Sequence, residues 1–514
     1  MIYDFKSRKN RILCIPETSD ETRHIRNMCI NVSRQKNTER DTYSIEDCLV
    51  NRISLGLNLN MPQAINKYRL GANAAAISSE NRLKPFQQED LNFSLQLRAV
   101  LNANPMGYGK TVEGLSYARA LDTRRLLILC PKSVCKQWLN MCQVWFPELY
   151  SEAKILIAPR NLGYGTKFPI IVITNYEQLL NAKVHESLRS IQWDCIIADE
   201  VHRLRNPKAK STIAAKSLPC YNKIGLSGTP ILNHPDNLWS ICHFLNPWYF
   251  GSSYWGFVNM FCEVEETFWG KKIKGLTRDP DKQWLLRETL SKFTIRNPAG
   301  AVGVGVAEND VTLEMYPKQK KLYNDIKQLA VEALSANNVS IANGMSQLIH
   351  LQQVTSNPGL FDIDKNIKFE WIKDLLDDNS DLKILVFSRF RQTILALNEY
   401  LNSYGIATIH GGIKNEERES EKIKFISNEN IRIMSGTIGA LGESVDGLQY
   451  VCHTVIFIDK MWNPEENNQA IGRVLRNSQE MFVNVYTLVC EKTVDEKVGR
   501  VNLKKIEDIR SVLV

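Results

Sequence analysis

Gly109, Lys110 and Thr111 have the types and order of residues that hold phosphate groups in nucleotide-binding proteins. They end the stretch ANPMGYGKT, which begins at Ala103. The phosphate-loop pattern G-x-x-x-x-G-K-S/T would require glycine where this chain has Asn104. In such a loop the backbone N–H groups face the phosphates, the lysine binds the β- and γ-phosphates, and the threonine binds magnesium. The stretch by itself does not distinguish an altered phosphate loop from a chance match.

A pair of carboxylates, Asp199 and Glu200, follows the apolar run in the stretch IIADEVH. One carboxylate can hold a hydrated magnesium ion while its neighbour polarises an attacking water molecule. An acidic pair after a strand is also a common helix N-cap, because its charge complements the helix dipole. The pair therefore indicates catalysis only in combination with a phosphate loop.

Two further motifs suit a nucleotide-driven enzyme. Ser227, Gly228 and Thr229 form a turn after an apolar run, where a turn can sense whether a γ-phosphate is present. Arg473 and Arg476 are three residues apart, on one face of a helix. Their permanently charged guanidinium groups can stabilise a phosphoryl group during transfer. Taken singly, the turn means little and the arginines are those of an ordinary amphipathic surface helix.

Basic residues near the strand ends are candidates for contacts with nucleic-acid phosphates. The stretch HRLRNPKAK contains four of them and no acidic residue, and two more follow other apolar runs; the six are Arg203, Arg205, Lys208, Lys210, Lys132 and Arg389. A solvated basic loop is the alternative explanation. The net charge of +8 fits a nucleic-acid partner but would equally fit many other enzymes.

Two series of apolar runs indicate strands buried on both faces, as in a parallel sheet covered by helices. The first series covers residues 125–131, 154–159, 169–174, 195–199 and 223–229. The second covers residues 383–388, 406–412, 431–436, 454–459 and 482–489. We therefore predict an α/β protein with two lobes, each a parallel sheet flanked by helices. Because ligands bind outside the carboxyl ends of such strands, the polar motifs should gather at one sheet edge.

The pattern along the chain predicts four parts. They are an accessory region of unassigned role at residues 1–78, lobe one at 79–296 with a helical insertion at about 235–290, a linker at 297–309, and lobe two at 310–514 with a helical segment at about 316–358. The insertion is aromatic-rich and lacks strand rhythm, and the linker is rich in glycine.

Composition narrows the class of protein further. The twelve cysteines include no C-x-x-C pair, which argues against a zinc ribbon or a disulfide scaffold and for reduced thiols. The N-terminus lacks an apolar signal region, and no run of about 18 apolar residues occurs. We expect no membrane partner and a cytoplasmic location, which for a viral protein would be the host cytoplasm.

In this order the motifs resemble those of the Swi/Snf-type DNA-dependent ATPases and translocases of helicase superfamily two. The resemblance covers about residues 82–500. In lobe one it rests on LKPFQ, the phosphate loop, CPKSVCKQW, ITNYEQL, DEVHRLRNPKAK, LSGTPILN and LWSICHFLNPWYFG, and in lobe two on LQQVTSNPGL, ILVFSRF, IHGG, GALGESVDGLQ and DKMWNPEENNQAIGRVLRNSQ. The short flanks are similar to those of the compact members that bacteriophages and other viruses encode.

The resemblance implies two RecA-like lobes that use ATP and Mg²⁺. It implies that Gln87 recognises the adenine and that Gln469 lies near the γ-phosphate or the opposing lobe. It also implies that Arg473 and Arg476 stabilise the transition state. ATP and magnesium would be held by Met106, Gly107, Tyr108, Gly109, Lys110, Thr111, Asp199 and Glu200, and the coupling of hydrolysis to movement would run through Ser227, Gly228 and Thr229.

The chain also departs from the family pattern. In the family an acidic pair commonly precedes the Met-Gly of the loop, and here Asn104 and Pro105 replace it. The last motif of the family often ends in Gly-Gln, where this chain has Ser478-Gln479. The stretch GESVDGLQ also differs from the usual motif. The first departure should remove negative charge beside the phosphates and stiffen the entry to the loop.

The function implied is ATP-driven translocation on double-stranded DNA that remodels protein–DNA complexes or branched DNA. One alternative is a strand-separating DNA or RNA helicase, for which we identify no wedge hairpin in the sequence. Another is a nucleic-acid-binding scaffold with a decayed ATPase, which the departures at Asn104, Pro105 and Ser478 favour and the retained charged residues disfavour.

Overall fold

The computed structural model describes residues 2–6, 11–16, 18–36, 41–57, 59, 83–105, 107–157, 169–228, 235–267, 270–297, 306–335, 341–441, 447–475 and 482–502. The chain folds into two compact units. The first includes Met1–Pro105 and Gly109–Pro298, and the second includes Ala299–Glu507.

The first unit begins with a small antiparallel sheet and two helices. Its strands are β1 (Ile2–Lys6), β2 (Arg11–Ile15), β3 (Ser33–Lys36) and β4 (Asp41–Glu46), in the order β1-β2-β4-β3, and its helices are α1 (Ser19–Met28) and α2 (Leu49–Ser54). Thr18 caps α1 by accepting a hydrogen bond from the backbone N–H of Glu21. Ile12, Cys14 and Ile45 are fully buried between the sheet and α1.

This small sheet is built onto lobe one. The N–H of Leu49 donates to the carbonyl of Trp248 over 2.8 Å, and the N–H of Ser252 donates to Oε1 of Glu46 over 2.9 Å. Leu49 and Val50 are fully buried and belong to the core cluster of lobe one. Residues 48–50 of the expected accessory region thus contribute to the core of lobe one.

Lobe one contains a seven-stranded parallel sheet in the order β13-β5-β10-β9-β6-β8-β7. Its strands are β5 (Ala99–Asn102), β6 (Arg125–Cys130), β7 (Lys154–Ile157), β8 (Ile170–Asn175), β9 (Trp193–Asp199), β10 (Cys220–Leu226) and β13 (Thr294–Ile295). The five strands expected from apolar runs are all present. The short β5 and β13 were not predicted, because β5 contains only three consecutive apolar residues and β13 only one, too few to mark a buried strand.

Helices cover this sheet and complete lobe one. They are α3 (Pro85–Ser94), α4 (Lys110–Ala120), α5 (Cys135–Trp145), α6 (Pro147–Glu152), α7 (Ala182–Arg189), α8 (Lys210–Lys216), α9 (Asn237–Leu245), α10 (Tyr254–Phe261) and α11 (Pro280–Ser291). Both faces of β6 and β9 are buried, as a parallel sheet between helices requires.

The segment 235–290 is not wholly helical, which corrects the expectation of a helical insertion. A hairpin of β11 (Cys262–Thr267) and β12 (Gly270–Leu276) lies between α10 and α11. The charged residues of β11 are all glutamates and those of β12 are all lysines, and they pair across the ribbon, as in the ion pair of Lys274 with Glu265 at 2.6 Å. Because the strands contain no apolar run, they lack the signal that predicts the other strands.

The second unit contains a six-stranded parallel sheet in the order β14-β19-β18-β15-β17-β16. Its strands are β14 (Val306–Leu313), β15 (Ile384–Ser388), β16 (Ile406–Ile409), β17 (Ile433–Thr437), β18 (Thr454–Phe457) and β19 (Val483–Cys490). Its helices are α12 (Pro317–Ser335), α13 (Ile341–Ser356), α14 (Ile367–Asp378), α15 (Arg391–Tyr400), α16 (Asn415–Ser427), α17 (Ile438–Leu441), α18 (Pro464–Ile471) and a helix at 494–502.

Part of the expected linker at 297–309 is a strand, which corrects that expectation. Residues 306–309 belong to β14, which pairs in parallel with β19 along its whole length. The exposed, polar sequence of β14 fits an edge strand, and this polarity is why no apolar run predicts it. Residues 298–305 lie outside the described part of the chain.

All twelve cysteines are free thiols, and eleven of them are buried. Across the described residues, no helix has both the length and the apolar character that crossing a bilayer demands. The α/β fold with two parallel sheets flanked by helices is confirmed.

Candidate functional site

Three strands of lobe one end at the same level of the sheet. In the pairing of β10 with its two neighbours, Leu226 lies opposite Asn102 on one side and Asp199 on the other. The phosphate loop, the acidic pair and the Ser-Gly turn leave the sheet directly after these residues. The strand ends therefore bring together three motifs that are about 90 and 30 residues apart in the chain, as expected for a ligand site in a parallel sheet.

The phosphate loop turns sharply at two glycines before α4 begins. Gly107 has φ 82° and Gly109 has φ 83°, a left-handed conformation that glycine adopts without steric cost. Lys110 and Thr111 then occupy the first turn of α4, where the unpaired N–H groups and the helix dipole favour an anion. Met106 lies outside the described residues.

Lys110 points back into its own loop. Its Nζ donates to the backbone carbonyls of Asn104, over 2.8 Å, and Pro105, over 3.0 Å. Carbonyl oxygens are weaker partners for an ammonium group than phosphate oxygens, because they carry only a partial charge. The observed contacts hold the lysine at the loop, from which it can move to phosphate.

The side chain of Asn104 points into the interior of lobe one. Its side chain is fully buried and contacts the carboxyl groups of Asp90 and Glu113. Burial raises the pKa of Glu113 to about 7, although the bond from Asn102 acts in the opposite direction. An acidic side chain at position 104 would therefore lie against the carboxyl groups of Asp90 and Glu113.

Asp199 is held by two aromatic side chains that no sequence pattern singled out. Nε1 of Trp138, on α5, donates to Oδ2 of Asp199 over 2.8 Å, and the hydroxyl of Tyr176 donates to its backbone carbonyl over 2.6 Å. Burial, and secondly the charge of Glu200, raise the pKa of Asp199 to about 6. The Trp138 bond and the charge of Lys110 lower it. Asp199 is thus an oriented carboxylate whose charged form a cation would stabilise further.

Glu200 follows in a strained conformation and reaches the third motif through a histidine. Its φ of 49° is left-handed, which costs a residue with a Cβ about 1–2 kcal/mol. Nδ1 of His202 lies 3.1 Å from Oε2 of Glu200 and 3.1 Å from Oγ of Ser227. Ser227 is buried, and its N–H donates to the carbonyl of Asn102 at the end of β5. His202 therefore lies between the acidic pair and the Ser-Gly turn.

Other predicted site residues are placed as follows. Gln87 is buried on α3, where its Oε1 accepts a hydrogen bond from the N–H of Lys84, and Tyr108 and Gly228 are buried. In the second unit, Gln469 lies half-buried on α18 and Arg473 lies buried just after it. Thr229 and Arg476 lie outside the described residues.

The candidate nucleic-acid residues differ in exposure. Lys132, Arg205, Lys208 and Lys210 are exposed in lobe one. Arg203 and Arg389 have protein partners: Nη1 of Arg203 lies 3.4 Å from Oε1 of Glu177, and Nη1 of Arg389 donates to Oε1 of Gln352 over 3.1 Å. The exposed four are therefore the stronger candidates.

Residues that hold the site in place were not predicted as site residues, although they lie in or beside the motifs. Trp138 ends CPKSVCKQW, Tyr176 lies in ITNYEQL and His202 follows the acidic pair. The motifs place these residues near the site in the sequence, but only the fold shows which atoms they touch.

Comparison with protein families agrees with this geometry. A family model described as the SNF2-related domain matches residues 27–360, and a second, described as the helicase conserved C-terminal domain, matches residues 367–478. The chain belongs to the SNF2-related family. The first match begins inside the N-terminal region, which agrees with the way this region is built onto lobe one.

Individual relatives are distant and mostly longer than this chain. It is 25% identical over 468 residues to the ISWI chromatin-remodeling complex ATPase ISW1 of Saccharomyces cerevisiae, covering 81% of this chain and 39% of that protein. It is 26% identical over 453 residues to the putative ATP-dependent helicase/translocase YwqA of Bacillus subtilis, covering 82% of this chain and 48% of that protein. The chain thus spans less than half the length of each of these two relatives.

Among solved structures, the chain is similar to the Sulfolobus solfataricus SWI2/SNF2 ATPase core in complex with dsDNA. The sequence identity is 22%, the TM-score is 0.39, and the match covers 89% of this chain and 99% of that chain.

Proposed function

We propose that the protein hydrolyses ATP and uses the energy to translocate on double-stranded DNA, remodelling protein–DNA complexes or branched DNA. The observation that carries this proposal is the alignment of Asn102, Asp199 and Leu226 at neighbouring strand ends of lobe one, from which the phosphate loop, the acidic pair and the Ser-Gly turn begin. The relatives named as a chromatin-remodeling ATPase and a putative helicase/translocase support the same class of activity.

The residues of lobe one fit a magnesium–nucleotide complex. Mg²⁺ prefers hard oxygen ligands and usually takes one or two from the protein and others from phosphates. Thr111 at the start of α4 and the oriented carboxylate of Asp199 are suitable ligands. When bound, Mg²⁺ neutralises charge on the β- and γ-phosphate oxygens.

Each side chain then has a defined task. Nζ of Lys110 would leave the carbonyls of Asn104 and Pro105 and bind phosphate oxygens instead. The backbone N–H groups of Gly107 and Gly109 would donate hydrogen bonds to phosphate oxygens. Glu200 would orient and polarise the attacking water. Gln87 would read adenine, and Gln469, Arg473 and Arg476 of the second unit would act on the γ-phosphate during transfer.

Coupling to movement would begin at His202. A change at Glu200 on hydrolysis can reach Ser227 through the two 3.1 Å contacts of this histidine. DNA would be held through its phosphates by Lys132, Arg203, Arg205, Lys208, Lys210 and Arg389, without reading its sequence.

The test compares ATPase rates of the full chain with duplex DNA, single-stranded DNA and RNA. We expect duplex DNA to stimulate most, and stimulation by RNA alone would overturn the assignment of the substrate. We also expect Lys110→Ala and Glu200→Gln to lower kcat by about 100-fold or more while DNA binding remains. If both variants hydrolyse ATP at the parental rate, these residues are not the site.

A strand-separating helicase is the second candidate, and the hairpin of β11 and β12 favours it. Such enzymes need an element that parts the strands, and a two-stranded ribbon is one suitable form. A labelled oligonucleotide annealed to a longer strand separates the candidates: release in proportion to ATP hydrolysis would favour the helicase, and hydrolysis without release would favour the translocase.

A further inference from the structure

A buried polar cluster lies beside the phosphate loop and joins five parts of lobe one. We call it the loop-anchor cluster; its members are Asp90 of α3, Asn102 at the end of β5, Asn104 of the loop, Glu113 of α4 and Asn297 after β13. The first four are each at most 8% exposed. Buried polar groups are stable only when hydrogen-bonded, so the pairing within this cluster is strongly constrained.

Asn104 lies at the centre of the loop-anchor cluster and uses both ends of its amide. Its Nδ2 donates to Oδ2 of Asp90 over 2.8 Å and lies 3.3 Å from both carboxyl oxygens of Glu113. Its Oδ1 accepts from the backbone N–H of Asn297 over 2.8 Å and from Nδ2 of Asn297 over 3.1 Å. Its own N–H donates to Oδ1 of Asn102 over 3.1 Å.

While position 113 is a glutamate, the contacts of the cluster favour an amide at position 104. A carboxylate accepts but does not donate, so aspartate at position 104 would put a third acidic group against Asp90 and Glu113. It would also lose the two donors that those carboxyl groups now receive. Asn102 and Asn297 donate to Glu113 and Asp90 respectively, and neither is placed to replace the central amide.

The backbone of Asn104 links this cluster to the lysine of the site. The carbonyls of Asn104 and Pro105 are the acceptors that hold Nζ of Lys110. The positions of these carbonyls depend on where the side chain of Asn104 is anchored. We propose that Asn104 is a positioning residue, which sets the affinity for the nucleoside triphosphate by holding the loop entry against Asp90, Glu113 and Asn297. This inference rests on the proposed ATP site.

The test exchanges the amide of Asn104 and the carboxyl of Glu113, which are in contact, in the full chain. The variants are Asn104→Asp, Glu113→Gln and the double variant N104D/E113Q, and the measurements are KM and kcat for ATP with saturating duplex DNA, affinity for a fluorescent non-hydrolysable ATP analogue, and Tm. We expect N104D to raise KM and the Kd of the analogue by about tenfold or more, because bonds to charged groups are lost.

In the double variant the E113Q substitution returns an amide donor to the carboxylate at position 104. We therefore expect KM and Kd within about threefold of the parental values, with kcat changed less than KM throughout. A parental KM in N104D, or a folded N104D/E113Q that binds ATP no better than N104D, would overturn the inference. If N104D does not fold, the double variant N104D/E113Q still tests the inference, because the inference requires that it both folds and binds ATP.

The matched control is Asn222→Asp, which makes the same change at another buried asparagine of the sheet. Asn222 is 1% exposed on β10 and its Nδ2 donates to the carbonyl of Asp194 over 3.1 Å. We expect N222D to lower Tm without changing KM. A KM increase in N222D equal to that in N104D would show a general loss of stability and overturn the positioning role. A parental protein that neither binds nor hydrolyses ATP would overturn the proposed function as well, whereas failure of the exchange alone overturns only this inference.

Discussion

At the scale of single residues, the orientation of Asp199 depends on a neighbour distant in sequence. Trp138 is almost fully buried and donates its indole N–H to one carboxylate oxygen. This bond favours the charged form of Asp199 and opposes the effect of burial, which raises the pKa to about 6. In the proposed site Asp199 would hold magnesium, and residues that hydrogen-bond to metal ligands usually affect metal affinity by about 10–100-fold.

We predict that Trp138→Phe weakens the apparent affinity for Mg²⁺ in the ATPase reaction by about tenfold at neutral pH. The substitution removes a donor to the charged form, so the pKa of Asp199 rises further. Mg²⁺ binds the charged form of the carboxylate. As the pH is lowered, activity at limiting Mg²⁺ should therefore begin to fall at a higher pH in the variant than in the parent. Magnesium titrations of the ATPase rate between pH 6 and pH 8 measure both effects.

Trp193→Phe is the control for this prediction. Trp193 is also buried, and its Nε1 donates to the carbonyl of Leu188 over 2.9 Å, a structural contact. It should lose stability without a change in magnesium dependence. Equal magnesium dependence in both variants would show that the Trp138 bond has no part in the site.

At the scale of elements, the site exists because β5, β9 and β10 are adjacent and end together. The sequence separates their motifs, and only parallel pairing in one register aligns Asn102, Asp199 and Leu226. His202 then bridges two of these strand ends through contacts to Glu200 and Ser227. The contact is therefore a property of strand order and register.

We predict that His202→Ala and Ser227→Ala each lower the DNA-stimulated kcat by about tenfold, and that the double variant is no worse than the more severe single variant. The reason is that both substitutions break the same connection between the acidic pair and the turn. The DNA-stimulated ATPase rates of the parent, the two single variants and the double variant form a double-mutant cycle. Independent, additive losses would contradict the connection.

His185→Ala provides a matched control for that cycle. Nε2 of His185 lies 2.9 Å from Oγ of Ser217 and 3.2 Å from the carbonyl of Ala214, a histidine–serine contact in the same unit but on α7. Its loss should leave the stimulated kcat near the parental value. A comparable loss of kcat would mean that such contacts act through stability alone.

At the scale of the whole molecule, the two units have separate cores. Ile128 and Ile197 belong to the core of lobe one, whereas Val386 and Ile456 belong to that of the second unit. A fully buried ion pair also lies in the second unit: Nζ of Lys368 donates to Oδ2 of Asp495 over 2.8 Å and to the carbonyl of Ile458 over 2.7 Å. Breaking such a pair leaves one charge buried and uncompensated.

We predict that Lys368→Met lowers the free energy of unfolding of the second unit by about 3–5 kcal/mol. Urea unfolding measures the loss, and hydrogen–deuterium exchange locates it. Peptides from β15 and β18 should lose protection, while those from β6 and β9 should keep it.

Lys373→Met on the same helix is the control, because Lys373 pairs with Asp377 at 2.7 Å and both side chains are about half exposed. Exposed pairs contribute little, so this variant should unfold like the parent. The prediction fails if the two variants have equal effects or if protection is lost equally in both units.

The sequence by itself determined the fold class and the residue types of the site. Runs such as 125–131 and 195–199 are mainly apolar, as in strands buried on both faces, and such runs have few solutions other than a covered parallel sheet. The order of Lys110, Asp199, Ser227 and Arg473 indicated the family, because each residue type suits one step of phosphate chemistry. Local pattern was weakest at β14 and in the hairpin, where charges replace the apolar signal.

Only the tertiary structure decided what each buried polar group touches. In the sequence, Asn104 is a departure from the family pattern beside the phosphates; in the fold, it is the amide between Asp90 and Glu113. The indole of Trp138 and the imidazole of His202 likewise gained their partners only when strands far apart in the chain became neighbours. The physical reason is that hydrogen bonding depends on distances of about 3 Å between atoms, which packing sets and sequence spacing does not.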